Sequence, residues 1–337
     1  MNTYRHNERF VLESGHVLPQ VEIAYHTYGT ISPKRDNVIW VCHALTANSE
    51  VADWWPHTVE SGRFLDPERY FVICANMIGS HYGSTGPLSV NPSTGVPYYG
   101  SFPRITVRDV VKAFRLLADH LGIRRVKALI GSSIGGFHAL EWLIEDKSFA
   151  EKAVLIATTA KASPWMIALD ESQRMALRCD PTFGDKNDTA GAEGLKCARS
   201  IALLSYRGAP AYNATQAEVD EPNKTDDFRA ASYQRYQGGK LASRFNAYSY
   251  MRLTEMIDSH NVGRGRGGVE KALASVKASV ATVAITSDIL CPVSDLELIY
   301  RNIPNASLHV ISSEFGHDGF LIEHEKLNEI ISKHLEA

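Results

Sequence analysis

Val126-Lys127-Ala128-Leu129-Ile130-Gly131-Ser132-Ser133-Ile134-Gly135-Gly136 reads as a buried strand that turns sharply into a helix. The run up to Gly131 is apolar and of strand length, and a helical pattern continues from Gly135 to Ile144. At the junction stands G-x-S-x-G, with Ser133 in the middle. That five-residue pattern is common by chance and takes its meaning from the strand–turn–helix context. A serine held at so sharp a turn has a strained backbone that crowds the positions two before and two after it, and glycine relieves the crowding. The same turn places Ser133 at a helix N-terminus, whose free N–H groups favour developing negative charge. Glycines alone would equally make an inert turn, so the motif needs partners.

Outward from this turn, short β-branched runs alternate with helical patterns, as in a mostly parallel sheet covered by helices on both faces. Strands are expected at Val38–His43, Tyr70–Ala75, Val126–Gly131, Ala153–Ala157, Ala281–Thr286 and Leu308–Ile311. Arg9–Glu13 and Val21–Tyr28 read as an antiparallel pair ahead of them. Thr106–Leu121 has helical spacing, with Thr106 as N-cap and Asp109 in its first turn. Further helices are expected at Ser294–Asn302 and Asp318–His334. Between Ala160 and Ser279 the alternation stops. Trp165–Leu177, Ala192–Tyr206, Asp227–Gln237 and Leu241–Ser259 are helical in pattern. This stretch reads as a lid, residues 160–279, inserted between core parts 1–159 and 280–337.

A serine hydroxyl is a weak nucleophile that needs a base, and the base needs an orienting acid. In α/β-hydrolase folds the chain order is Ser, then Asp or Glu, then His. Asp288, just past one strand, and His317, just past another, follow in that order. Both reach the carboxyl edge of the sheet, where open α/β folds build their sites. His138, His309, His324 and His334 fall inside elements and read as packing or surface residues. The oxyanion of acyl transfer wants two N–H donors. Ile134, after the nucleophile, supplies one, and Leu45, in the loop after Val38–His43, is assigned the other.

The 337 residues carry a formal net charge of −3, which offers no general attraction to nucleic acid or to an anionic membrane. No apolar run is long enough to span a bilayer, and Met1–Arg9 lacks the apolar core of a signal peptide. Five scattered cysteines without a C-x-x-C pair argue for reduced thiols in a cytoplasmic setting and against structural zinc.

The words around the triad resemble one family. His43-Ala44-Leu45-Thr46, Gly83-Ser84-Thr85-Gly86-Pro87, Phe102-Pro103 with Thr106-Val107-Arg108-Asp109, and Ala139-Leu140-Glu141-Trp142 are similar to homoserine O-acetyltransferases. So are Tyr236-Gln237-Gly238 with Lys240, Ser259-His260-Asn261-Val262-Gly263-Arg264-Gly265, and Gly316-His317-Asp318. The resemblance covers nearly the whole chain. It implies an α/β-hydrolase fold with a helical lid, no metal, no cofactor beyond acetyl-CoA as co-substrate, and a homodimer. It implies a ping-pong reaction in which Ser133 takes the acetyl group and L-homoserine then receives it, a step of methionine biosynthesis. It also implies that Arg199 pairs with the homoserine carboxylate and Asp318 holds its ammonium. From the residues alone, Arg199 reads as the solvated face of a lid helix, and so does Arg207.

Relatives that use succinyl-CoA tend to carry an arginine two residues after the triad aspartate. Leu290 stands there, and an apolar side chain leaves a succinyl carboxylate unpaired, which favours acetyl. Ser132, Cys291 and His138 depart from the family pattern, and Cys291 bears on acyl-chain length. Gly263-Arg264-Gly265-Arg266-Gly267-Gly268 satisfies G-x-G-x-x-G but follows a helix rather than a strand, so it does not read as a dinucleotide site. Its arginines are candidates for CoA phosphates, against the plainer reading of a flexible return from lid to core. Trp54-Trp55 reads as packing. Competing functions are hydrolysis by the same triad, as an esterase or thioesterase, transfer to serine or from succinyl-CoA, and an inactive binding scaffold.

Overall fold

The computed structural model describes residues 1–219 and 223–337. Its main sheet has eight strands: β1 (Asn2–His6), β2 (Val21–Tyr28), β3 (Val38–Cys42), β4 (Phe71–Ala75), β5 (Val126–Ser132), β6 (Ala150–Ile156), β7 (Ser279–Ile285) and β8 (Ala306–Ile311). Their spatial order is β1-β2-β4-β3-β5-β6-β7-β8. β1 and β2 run antiparallel to their neighbours, and every pairing from β4 to β8 is parallel. Parallel strands have both faces buried, and β3 shows how. Val38, Trp40 and Cys42 join one apolar cluster, while Ile39 and Val41 join the other.

The first cluster is covered by α1 (Val107–His120) and α2 (Ile134–Glu145). α1 begins with a capping box, Thr106 and Asp109 each satisfying the other's backbone N–H. Between β6 and β7 the described chain is helical: α3 (Pro164–Cys179), α4 (Ala192–Tyr206), α5 (Ala209–Gln216), α6 (Arg229–Ala242) and α7 (Ala247–Asp258), with a short turn of helix at Val269–Leu273. The neck of this insertion is stitched by a bridge between Lys161 and Asn261. Two backbone bonds flank it, Ala162 N–H to His260 O and Val262 N–H to Ala160 O, both 3.0 Å. α8 (Val293–Asn302) follows β7, and α9 (His324–Glu336) closes the second cluster.

Two expectations are corrected. Arg9–Glu13 does not pair with Val21–Tyr28. Phe10–Val11 instead folds back on Val17–Leu18 around Gly15, and the polar edge strand Asn2–His6 takes the place beside β2. Asn-Thr-Tyr-Arg-His carries no apolar run, and as an edge strand it needs none. The helix expected over Asp318–His334 is broken. A 3-10 turn at Gly316–Asp318 leads into Gly319–Ile322, and α9 starts afresh at His324. α5 had no counterpart among the expected elements.

Candidate active site

Ser133 sits between β5 and α2 with φ 53° and ψ −128°, a conformation that L residues rarely adopt. The flanking glycines make it possible. A Cβ on Gly131 would stand 2.3 Å from Gly135 O, and one on Gly135 would stand 2.0 Å from Cys42 O at the end of β3. The turn is held by Ser133 N–H to Ile156 O at 3.0 Å, and by Thr158 Oγ1 donating to Ser133 O at 2.8 Å.

The two partners arrive from the ends of β7 and β8. His317 Nε2 lies 2.9 Å from Ser133 Oγ, and its Nδ1 lies 2.7 Å from Asp288 Oδ2. The carboxylate cannot donate, so Nδ1 carries the ring proton and Nε2 accepts from the serine. Asp288 is fixed in turn by the Leu290 and Cys291 N–H groups, which donate to Oδ1 at 2.8 and 2.9 Å. Burial disfavours the His317 imidazolium, but the charge and hydrogen bond of Asp288, helped by the charge of Asp318, outweigh it and raise the pKa. Other histidines sit differently. His138 and His260 are buried, which lowers their pKa values, and His260 stacks on Phe137 at 4.0 Å. Cys291 Sγ lies within 4.8 Å of the Asp288 and His317 ligand atoms. That trio's carboxylate and imidazole are already bonded to each other, and burial raises the thiol well above its usual pKa.

Leu45 and Ile134 both border Ser133. Among the described residues neither backbone N–H has an acceptor within the protein. Ser133 therefore lies beside two free donors, at the boundary of two cavities. One, about 20 Å³, is lined by Leu45, Ile134, Phe137, Met166 and Leu290, with Asp170 and Gln173 at its polar end. The other, about 420 Å³, opens outward past Arg199, Tyr206, Asp318, Trp54, Lys240 and Arg244.

The structure thus brings Ser133, His317, Asp288, Leu45, Ile134, Arg199 and Asp318 to one place. Arg199 lies over the Tyr206 ring at 5.3 Å and has no carboxylate partner among the described residues. Burial raises the Asp318 pKa, against the charges of Arg207, Arg199 and His317. Arg207 Nε is 3.1 Å from Asp318 Oδ2, a charge contact whose N–H is not aligned for a hydrogen bond. Sequence reasoning set Arg207 aside and missed Tyr206. The signal was available, since Arg199 and Tyr206 stand seven apart on α4 and so share a face.

One further reading holds and one is corrected. Trp54 and Trp55 are packing, as expected, stacked at 5.4 Å against the second cluster, but Trp54 also lines the large cavity and bonds Asn48 O through Nε1 at 2.8 Å. Arg264 and Arg266 do not reach the cavity. Arg264 is held by Glu13 at 2.7 and 2.9 Å, and Arg266 by the buried Glu141. The cations that line the cavity besides Arg199 are Lys240 and Arg244, on and just beyond the last turn of α6.

The family model described as the alpha/beta hydrolase fold matches residues 37–323. A homoserine O-acetyltransferase of Cyclobacterium marinum is 45% identical over 324 residues, spanning 96% of this chain and 92% of that protein. The solved homoserine O-acetyltransferase from Bacillus anthracis superposes with a TM-score of 0.92 at 24% identity, covering 100% of this chain and 97% of that one. An acetylester hydrolase from Corynebacterium glutamicum shares the fold, with a TM-score of 0.87 at 23% identity over 100% and 96% of the two chains. The fold is therefore common to transferases and hydrolases, and it is the sequence likeness over almost the full length that separates them. On that ground the chain belongs to the homoserine O-acetyltransferase family of the α/β-hydrolase fold.

Proposed function

We propose that the chain transfers an acetyl group from acetyl-CoA to the hydroxyl of L-homoserine through an acetyl-Ser133 intermediate. The observation that carries this reading is the hydrogen-bonded line Ser133–His317–Asp288 at the floor of a cavity that also holds a buried carboxylate and a guanidinium with no carboxylate partner among the described residues. In the first half-reaction Ser133 Oγ attacks the thioester carbonyl carbon while His317 Nε2 takes the hydroxyl proton. The oxyanion forms between the N–H groups of Leu45 and Ile134. Collapse breaks the C–S bond, and the departing CoA thiolate takes the proton back from His317. In the second, the homoserine hydroxyl gives its proton to His317 and its oxygen attacks the acyl carbon. Ser133 leaves and is reprotonated.

Arg199 holds the homoserine carboxylate by its two-pronged guanidinium, and Asp318 holds the ammonium. Lys240 and Arg244 meet the CoA phosphates in place of Arg264 and Arg266. The small cavity beside Ser133 has room for roughly one water- or methyl-sized group, which suits an acetyl methyl and not a succinyl chain. Leu290 on its wall offers a carboxylate no partner. Residues 160–279 act as the lid, a division supported by the stitched neck at Lys161 and Asn261. The enzyme proposed here acts on small molecules in the cytoplasm, and no helix of the described residues is long and apolar enough to cross a membrane.

Intact-protein mass spectrometry tests the mechanism. With acetyl-CoA alone, one acetyl adduct on Ser133 is expected, discharged when homoserine is added. An unmodified enzyme that still forms product would overturn the ping-pong route. Consumption of acetyl-CoA at the same rate with and without homoserine would make the enzyme a thioesterase.

A further inference from the structure

The loop that carries Leu45 is held by a histidine for which the triad has no use. His43 follows β3 directly and is buried. Its Nε2 stands 3.2 Å from the Met77 backbone N–H, a group that can only donate. Nε2 is therefore the acceptor, and the ring proton sits on Nδ1, 2.8 Å from Ala44 O. Both nitrogens are committed, and the ring is locked in one neutral tautomer. Burial lowers its pKa to about 4, so the arrangement persists at neutral pH.

The Ala44 carbonyl and the Leu45 N–H belong to one planar trans peptide and point to opposite sides of it. The carbonyl also accepts the Ala47 N–H at 3.1 Å. One such bond leaves the peptide free to swing about it, whereas two fix its plane. The far end of the loop is tied down separately, by Ser49 N–H donating to Asn76 Oδ1 at 2.7 Å. With the carbonyl turned onto His43, the N–H on the other side has no acceptor among the described residues.

We infer that His43 is a positioning residue for acyl transfer: its Nδ1–H bond to Ala44 O sets the Ala44–Leu45 peptide so that the Leu45 N–H faces the space above Ser133. This rests on the assignment of Leu45 as an oxyanion donor, proposed above. Its consequence is a split between two amide substitutions. An asparagine amide reproduces the Nδ1 donor, and a glutamine amide reproduces the Nε2 acceptor.

The test is steady-state kinetics on the full-length enzyme with acetyl-CoA and homoserine. Each variant gives up one buried bond, so both should melt at lower temperature. His43→Gln should lose about 10²–10³-fold in kcat, the loss expected of an absent oxyanion donor, with the KM for homoserine little changed. His43→Asn should retain kcat within about fivefold. Equal losses in the two variants, or no loss in His43→Gln, would overturn the inference. A third enzyme, with leucic acid at position 45, replaces the N–H by an ester oxygen. If it keeps full kcat, the oxyanion assignment itself fails. If it loses kcat while His43→Gln does not, the assignment stands and only the role of His43 fails.

Discussion

His317 sets the pH dependence. Its imidazole must be neutral to take the serine proton, and its pKa is raised, so acyl transfer should fall as pH drops through a value above the ordinary histidine value of about 6.5. Asp288→Asn removes the chief raising influence and leaves burial, which lowers, opposed only by the weaker charge of Asp318. The acid limb of kcat/KM should then move to lower pH while kcat falls about 10⁴-fold, measured as a pH–rate profile. Arg199→Ala should raise the KM for homoserine about 30-fold, the equivalent of about 2 kcal/mol for a half-buried charge contact, with little change in the KM for acetyl-CoA. Ser132 makes a different kind of prediction. Its buried hydroxyl has no hydrogen-bond partner among the described residues, where the family resemblance leads one to expect glycine. Ser132→Ala should stabilise the fold by about 1 kcal/mol in a denaturant titration, because an unsatisfied polar group is removed.

The elements show what a sequence can and cannot display. β3 to β7 were legible because strands buried on both faces are apolar nearly throughout, and the turn at Ser133 because only glycine tolerates its neighbours' positions; β8, a half-exposed edge strand, showed only in the apolar residues of Leu308–Ile311. β1 was not legible. Its side chains are polar, and its place is decided by pairing with β2, a contact that leaves no periodicity in Asn2–His6. α5 was missed for a similar reason, since none of its residues is buried and no apolar stripe marks it. Asp288 and His317 could be picked from chain order, whereas the spacing of Arg199 and Tyr206 shows a shared face of α4 without showing what that face meets. Arg199 looks like a solvated face until β8 delivers Asp318 opposite it. The elbow itself has a sharp test. Gly135→Ala should prevent native packing of α2 on β3, seen as a loss of cooperative melting, because the added carbon would meet Cys42 O.

At the scale of the molecule, charge and shape divide the labour. The sheet and its loops supply Ser133, His317 and Leu45, and the helical insertion between β6 and β7 supplies Arg199, Tyr206, Lys240 and Arg244 to the same cavity. Lys240 and Arg244 are exposed, so their attraction to phosphates is screened over a Debye length of about 8 Å at physiological salt. The KM for acetyl-CoA should therefore rise with ionic strength, and Lys240→Ala should flatten that dependence. The expected homodimer is read directly by light scattering on the purified chain, which should give about twice the mass of one chain.

The buried Glu141 has one more implication, and it concerns the order in which the chain is made. Its carboxylate, on the helix that begins at the nucleophile, is answered by Arg108 and by Arg266. The second arginine leaves the ribosome more than a hundred residues later. Until then Oε2 of this inward-facing carboxylate lacks the guanidinium that bonds it in the finished protein, and burying it in that state is costly. We therefore expect the amino-terminal half of the sheet to settle only once the return segment has been made.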